Sequence, residues 1–297
     1  MTAPAPVLAP LPAPLVESAV AAALAEDLGL VGDITTNATI PAEARAHGVI
    51  ATRKAGVICG IQLAEAAFRQ LDPACRFEIF NPDGAHVGPG EVAAKITGNA
   101  RAILSAERVA LNYMGRMSGI ASLTRRYVDA VRATKARIVD TRKTTPGLRA
   151  FEKYAVRSGG GHNHRTGLFD AVLIKDNHIV AAGSLEQALA AARRTAGHMV
   201  KIEVEVDTLD QLDQVLEHDV DAVLLDNMSA SQLREAVRRI AGRCLAEASG
   251  GVNLDTVGEI ARTGVDLISV GALTHSAPVL DLGLDFAAQP AKRTITA

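Results

Sequence analysis

Six short apolar runs recur through the second half of this 297-residue chain at the spacing of repeated strand–helix units: Ile138-Val139, Ala171 to Ile174, Ile202 to Val206, Ala222 to Leu225, Cys244 to Ala248 and Leu267 to Val270. The helices between them mark their own starts. Ser184 with Gln187, Thr208 with Gln211 and Ser229 with Gln232 are spaced as capping boxes, in which a hydroxyl and an amide side chain satisfy backbone N–H groups at a helix N-terminus. Strands joined in sequence by helices run parallel, so the pattern demands an α/β fold; a barrel and a doubly wound sheet both satisfy it. Polar residues end nearly every run rather than those at one switch point, which favours a barrel, whose ligand-facing rim is built from all its strand ends.

The charges at those strand ends are not evenly mixed. From Asp140 to Lys175 there are seven Lys or Arg against three acids, although the whole chain carries a net charge of -2. Arg142 and Lys143 follow the first run, Lys175-Asp176-Asn177-His178 follows the second, and between them Gly159-Gly160-Gly161 precedes His162, His164 and Arg165. A local positive field in a slightly acidic protein suits a polyanionic small molecule and argues against a general nucleic-acid binder.

The run at residues 201–207, KIEVEVD, departs from the continuous apolar pattern of a buried parallel strand. Period-two geometry puts Glu203 and Glu205 on one face, toward either solvent or the barrel axis, and Asp226 ends the next strand at the same edge. Glu205 and Asp226 are oxygen donors of the kind that hold Mg²⁺ alongside substrate phosphates, although surface acids on an amphipathic strand would look the same. Ser249-Gly250-Gly251 and Val270-Gly271 follow later strands, where small residues let backbone N–H groups approach a phosphate. His162 and His164 lack a third ligand at zinc spacing, so hydrogen bonding to an anion suits them better than metal binding. There is no GxGxxG fingerprint after a strand and no P-loop.

The first half reads differently. A Pro/Ala-rich stretch over residues 1–14 has five prolines and no charged side chain, and is expected to be disordered. A helix is predicted from Leu15 to Asp27. Short strands around 47–52, 57–59, 77–80 and 92–96, with a helix from Gln62 to Gln70, then make an α+β unit of about a hundred residues. Ile103, Ala106, Ala110, Met114 and Met117 recur at gaps of three and four, and Ile120, Leu123, Tyr127 and Val131 continue the stripe, so one long helix or two follow, with Arg108 off the stripe. Cys59, Cys75 and Cys244 form no CxxC pair and sit among apolar residues, so burial and a reducing cytoplasm are expected for them. No segment is apolar for long enough to span a bilayer.

Taken together, EDLGLVGDITT, DTRKTTPGLR, SGGGHNHRTGLFD, LIKDNH, EVEVD, LLDN, ASGG and ISVGALTHS resemble, in order, the quinolinate phosphoribosyltransferases (decarboxylating), also called nicotinate-nucleotide pyrophosphorylases. The resemblance runs from about Leu15 to Phe286. It implies an N-terminal α/β sandwich, residues 15–115 rejoined by 281–297, and an open, atypical α/β barrel of the type II phosphoribosyltransferase kind over 116–280. It implies quinolinate and phosphoribosyl pyrophosphate as substrates, Mg²⁺ as cofactor, and a homodimer in which Arg108 reaches the partner's site. It further implies that Arg142, His164 and Arg165 hold the quinolinate carboxylates and that Lys143 and Lys175 meet carboxylates and pyrophosphate. Glu205 and Asp226 would bind ribose hydroxyls and Mg²⁺, largely through substrate and water, with Glu203's share unassigned. Ser249, Gly250, Gly251 and Gly271 would cradle the 5′-phosphate. A sister enzyme for nicotinate or another pyridine acid, and a non-catalytic anion-binding relative, are the alternatives.

Overall fold

The computed structural model describes residues 8–288 and divides into two compact units, one made of residues up to Ser122 together with those from Ala277 on, the other of Leu123–Ser276. In the first unit the elements are α1 (Ala13–Leu28), α2 (Ile34–Thr39), β1 (Arg45–Thr52), β2 (Gly56–Val57), α3 (Ile61–Leu71), β3 (Arg76–Ile79), β4 (His86–Val87), β5 (Val92–Asn99) and the beginning of α4 (Ala100–Val131). Residues 1–7 of the Pro/Ala-rich stretch lie outside the described residues. Its end is ordered: the Leu11 N–H donates to Gln62 Oε1 at 2.9 Å, and Pro12 stands before the first turn of α1, where a missing N–H costs nothing.

β5 lies antiparallel between β1 and β3, and the chain's last strand, Leu282–Ala288, pairs antiparallel with the other edge of β1. That pairing returns the C-terminus to the first unit. Gly48 allows it, since a Cβ there would meet Leu284 Cδ1 at 2.7 Å. The stripe predicted for the long helix is buried throughout, from Ile103 to Val131, and it belongs to one helix of 32 residues. The division between the units falls inside α4, where Gly119 lets the chain at Pro278 pack close: a Cβ would lie 2.0 Å from the Pro278 carbonyl oxygen.

The second unit alternates strand and helix: β6 (Arg137–Val139), α5 (Arg149–Ser158), β7 (Val172–Ile174), α6 (Asp176–Ala182), α7 (Leu185–Thr195), β8 (Ile202–Val206), α8 (Leu209–Val215), β9 (Ala222–Asp226), α9 (Ala230–Ile240), β10 (Leu245–Ser249), α10 (Val257–Ala261), β11 (Leu267–Ser269) and α11 (Ala272–His275), before β12 (Leu282–Ala288). The order β6-β11-β10-β9-β8-β7 is parallel throughout, with β6 and β7 at the two edges, so the barrel is open. Val204, Val223, Leu225, Ala246 and Ile268 make one face of the sheet fully apolar and buried. Thr208 with Gln211 and Ser229 with Gln232 form reciprocal capping boxes. Ser184 accepts the Gln187 N–H, but the Gln187 side chain lies against Gly183 and returns no bond. All three cysteines are free; Cys59 and Cys75 are buried, whereas Cys244, just before β10 and in one shallow pocket with Lys135, Asp221 and Asp266, is only half-buried. Among the described residues no helix is long and apolar enough to cross a membrane.

Candidate active site

The register of the parallel sheet decides which way the strand acids face. Leu173 pairs with Glu203, Glu205 with Leu224, Leu224 with Glu247 and Asp226 with Ser249. In a parallel ladder paired residues share a face, so Glu203, Glu205, Asp226, Glu247 and Ser249 all stand opposite the apolar face. Glu205, Asp226, Glu247 and Ser249 line a cavity of about 370 Å³ at the C-terminal ends of the strands, and Glu203 is buried on the same face. Glu203 and Glu205 therefore point to the barrel axis and not to solvent. A larger groove, about 790 Å³, runs between α1 and α3 in the first unit, but Glu65 and Arg69, two of its three ionisable residues, are already paired with each other at 2.8 Å.

Loops after the strands bring the basic residues to the same cavity. Arg142 and Lys143 follow β6, His164 and Arg165 follow α5, and Lys175 follows β7. The loop after β6 is pinned by Glu152, whose carboxylate accepts from the Thr145 N–H at 3.0 Å and its hydroxyl at 2.8 Å, and by Thr274, whose hydroxyl donates to the Lys143 carbonyl at 2.7 Å. Lys175 stands at the start of α6, its N–H donating to His178 Nδ1 at 3.0 Å, and its Nζ reaches Glu205 Oε2 at 2.5 Å. The Arg142 Nε is buried with no hydrogen-bond partner. Burial and the neighbouring Arg142 charge both lower the Arg165 pKa. Two guanidiniums held together at a cost, one with a buried donor unmet, are arranged for an anion with more than one charge.

Beneath this layer lies a buried network that sequence reasoning missed. Asp140, fully buried at the end of β6, pairs with Lys153 of α5 and accepts from Asn163 Nδ2 at 2.6 Å and the His164 N–H at 2.9 Å. Lys153 also donates to the His164 carbonyl at 3.0 Å. The pair clamps the backbone that carries His164 and Arg165. Burial raises the Asp140 pKa even with Lys153 opposing it. In the sequence these residues were charges 13 positions apart, with nothing to mark them as partners.

His164 sits between this clamp and the strand acids. Its Nδ1 accepts the Arg165 N–H at 2.7 Å and its Nε2 lies 2.9 Å from Glu203 Oε2 and 3.7 Å from Glu247 Oε1. A backbone N–H only donates, so Nδ1 keeps its lone pair and the ring hydrogen is on Nε2, directed at Glu203. Burial disfavours the imidazolium, but the bond to Glu203 and the acids' charge outweigh it and raise the His164 pKa. His164, Glu203 and Glu247 are the one group of three metal-ligating side chains close together among the described residues. Because the ring lone pair faces away, they form a hydrogen-bonded cluster. Glu247, 1 % exposed, has its pKa pushed up to about 8 by burial and by the Glu203 charge.

Ser249 lines the cavity, and the chain turns away immediately after it through Gly250 and Gly251, with φ of +89° and +61°. A Cβ on Gly250 would lie 2.1 Å from Asn227 Oδ1. Gly271 opens α11 beside Lys143, 3.2 Å from Lys143 Cδ at its Cβ position. Arg108 belongs to the first unit and is not part of the cavity lining; it is exposed on α4, with Glu107 3.9 Å away.

An open parallel barrel with a cationic cavity at its strand ends defines an anion-handling α/β protein. Two family models match the chain: quinolinate phosphoribosyl transferase, N-terminal domain, over residues 33–118, and the C-terminal domain of the same family over 120–285. The chain is 47 % identical over 268 residues to a nicotinate-nucleotide pyrophosphorylase [carboxylating] of Mycobacterium leprae, covering 89 % of this chain and 94 % of that one. It is 45 % identical over 280 residues to a mitochondrial quinolinate phosphoribosyltransferase [decarboxylating] 2 of Nicotiana glauca, covering 88 % and 79 %. A crystal structure of NadC from Streptococcus pyogenes superimposes with a TM-score of 0.91 at 39 % identity, covering 95 % and 99 %. The chain belongs to the quinolinate phosphoribosyltransferase family.

Proposed function

We propose that this protein transfers the phosphoribosyl group of phosphoribosyl pyrophosphate to the ring nitrogen of quinolinate, releasing pyrophosphate, CO₂ and nicotinate mononucleotide, a pentosyltransferase step of NAD biosynthesis. The observation that carries the reading is the Arg142–Arg165 pair, with its buried unmet Nε, facing a cavity that also holds Lys143 and Lys175. Planar guanidiniums match planar carboxylates bidentately, and quinolinate has two of them on adjacent ring carbons. His164 was expected to hold a carboxylate directly. With both ring nitrogens engaged, it acts by fixing Arg165 and Glu203, and reaches a carboxylate only by giving up one of those bonds.

On this reading Lys143 and Lys175 face the carboxylates and the pyrophosphate, and Ser249, Gly250, Gly251 and Gly271 receive the 5′-phosphate with backbone N–H groups. Glu205 and Asp226 hold the ribose hydroxyls, where their charge stabilises the oxocarbenium-like state formed as pyrophosphate departs. The same two carboxylates, on neighbouring strands and one face, fit Mg²⁺, which takes few protein oxygens and completes its shell with phosphates and water. The chemistry a bound Mg²⁺ supplies is neutralisation of charge on the leaving pyrophosphate. Ribosylation makes the ring a pyridinium, which withdraws the electron pair left when the adjacent carboxylate departs.

The test is turnover of carboxyl-labelled quinolinate with phosphoribosyl pyrophosphate and Mg²⁺, with nicotinate as the control substrate and a chelated sample beside it. Labelled CO₂ and nicotinate mononucleotide should appear together from quinolinate, none from nicotinate, and the rate should collapse on chelation. Nicotinate turnover alone would move the function to the sister enzyme, and no turnover with either would leave a binding protein. For Arg108, exposed with its guanidinium 3.9 Å from Glu107, the same reading places the guanidinium in the site of a second copy. Mixing inactive Arg108→Ala and Lys175→Ala subunits should then restore activity; a confirmed heterodimer that stays inactive would refute the shared site.

A further inference from the structure

We propose that Glu247 is the acid that protonates ring carbon C2 of the pyridine after CO₂ has left it. The proposal rests on the quinolinate reading above. Loss of CO₂ breaks the C2–carboxyl bond and leaves its electron pair on C2, and the product needs a hydrogen there. The donor must present an acidic hydrogen inside the cavity, away from bulk water. His164 is excluded, since its one ring hydrogen is directed at Glu203 and its other nitrogen accepts the Arg165 N–H. Lys143 and Lys175, the ammonium groups of the lining, are assigned above to the carboxylates and the pyrophosphate, and an ammonium paired with such anions holds its proton more tightly.

Glu247 meets the requirement on several independent grounds. It lines the cavity with Arg142, Lys143 and Arg165, although it is 1 % exposed. Its Oε1 is buried with no hydrogen-bond partner. The groups facing it are Glu203 from β8, His164 from the stretch after α5, Asp140 from the end of β6 and the Ser269 hydroxyl from β11. Two of these are carboxylates, and together with burial they disfavour ionisation of a third, so Glu247 keeps its proton at neutral pH. A carboxylic acid held neutral by its surroundings is a recurrent way to run acid chemistry near pH 7. In the step, C2 takes the hydrogen, the O–H bonding pair stays on Glu247 as a carboxylate, and the ylide becomes the pyridinium product. Glu247 regains a proton from water once the product has gone.

The test is an acid-quenched single turnover of ring-labelled quinolinate with Glu247→Gln, which keeps the shape and removes the acidic hydrogen, following pyrophosphate and both mononucleotides. Wild type should release pyrophosphate and nicotinate mononucleotide together. The variant should release pyrophosphate within about tenfold of wild type while nicotinate mononucleotide formation falls by roughly 100-fold or more, with quinolinate mononucleotide accumulating as unprotonated ylide recaptures CO₂. Formation of nicotinate mononucleotide in wild type should also decline above pH about 8, a limb the variant lacks. Should Glu247→Gln fold poorly, Glu247→Asp, still an acid but shorter, should lower nicotinate mononucleotide relative to pyrophosphate. Equal slowing of both products, or no accumulation of the intermediate, overturns the assignment and leaves Glu247 structural. Wild type that releases no pyrophosphate from quinolinate overturns the activity itself, and this step with it.

Discussion

Lys153→Met should destabilise the protein by about 3 to 5 kcal/mol in chemical unfolding, the range seen when one partner of a buried ion pair is removed. Asp140 is fully buried, and without the ammonium its charge would have only Asn163 and the His164 N–H to meet it. The loss should depend on pH in a direction that packing cannot mimic. Burial already sets the Asp140 pKa above its ordinary value, and removing Lys153 raises it further. An acid whose folded pKa exceeds its unfolded one contributes fully below the unfolded value and loses that contribution as pH rises toward the folded one. The deficit should therefore be smallest at low pH, where Asp140 is protonated with or without Lys153, and grow once the pH passes the raised pKa that Asp140 has in the wild-type fold. Asp140→Asn with Lys153→Met should recover most of the stability at neutral pH, because no buried charge is left. A deficit independent of pH, or undiminished in the double variant, would mean that the lost packing of the lysine stem dominates. Activity should stay low in the double variant all the same, since Lys153 also holds the His164 carbonyl beside Arg165.

How far the sequence carries differs from element to element for physical reasons. Strand–helix alternation is a local property: an apolar run, a cap and an amphipathic stretch each declare themselves within a dozen residues, so the parallel unit and the buried stripe of α4 are both legible, though not that the stripe belongs to one helix. The facing of β8 was not. Period two puts Glu203 and Glu205 together, but which side is inward depends on the pairing with Leu173 and Leu224 from other strands. The cluster of positive charge between Asp140 and Lys175 was visible because most of its members sit in one stretch. Glu247 was invisible for the opposite reason: a single acid between Ala246 and Ala248 has the pattern of any amphipathic strand until its burial beside Glu203 is known. The role of His164 turned on one backbone N–H, that of Arg165, which no side-chain motif encodes. The return of the C-terminal strand to β1 came from family resemblance alone, since nothing in residues 282–288 names a partner more than two hundred positions away.

Arg165→Ala should weaken binding of quinolinate by about 2 to 5 kcal/mol, the cost of removing one member of a desolvated, hydrogen-bonded charge pair. That corresponds to roughly a 30-fold to several-thousand-fold rise in Kd. The fold should not share the loss. The Arg165 guanidinium donates to the Ala171 carbonyl at 3.2 Å, while its charge is opposed by burial and by Arg142. Removing it from the empty site relieves repulsion between cations, so unfolding should shift little or toward greater stability. A binding residue that is costly to the free protein and repaid by ligand has this signature, whereas a structural arginine loses both together. Benzene-1,2-dicarboxylate, which has the two adjacent carboxylates but no ring nitrogen to ribosylate, isolates the effect from turnover. Its advantage over benzoate, measured calorimetrically, should be large in wild type and collapse in Arg165→Ala. Arg165→Lys should restore part of it, because a point charge replaces the fork without its bidentate geometry. Wild-type affinity for the dicarboxylate in Arg165→Ala would remove Arg165 from the carboxylate site and leave Arg142, with its buried Nε, as the guanidinium that holds the substrate.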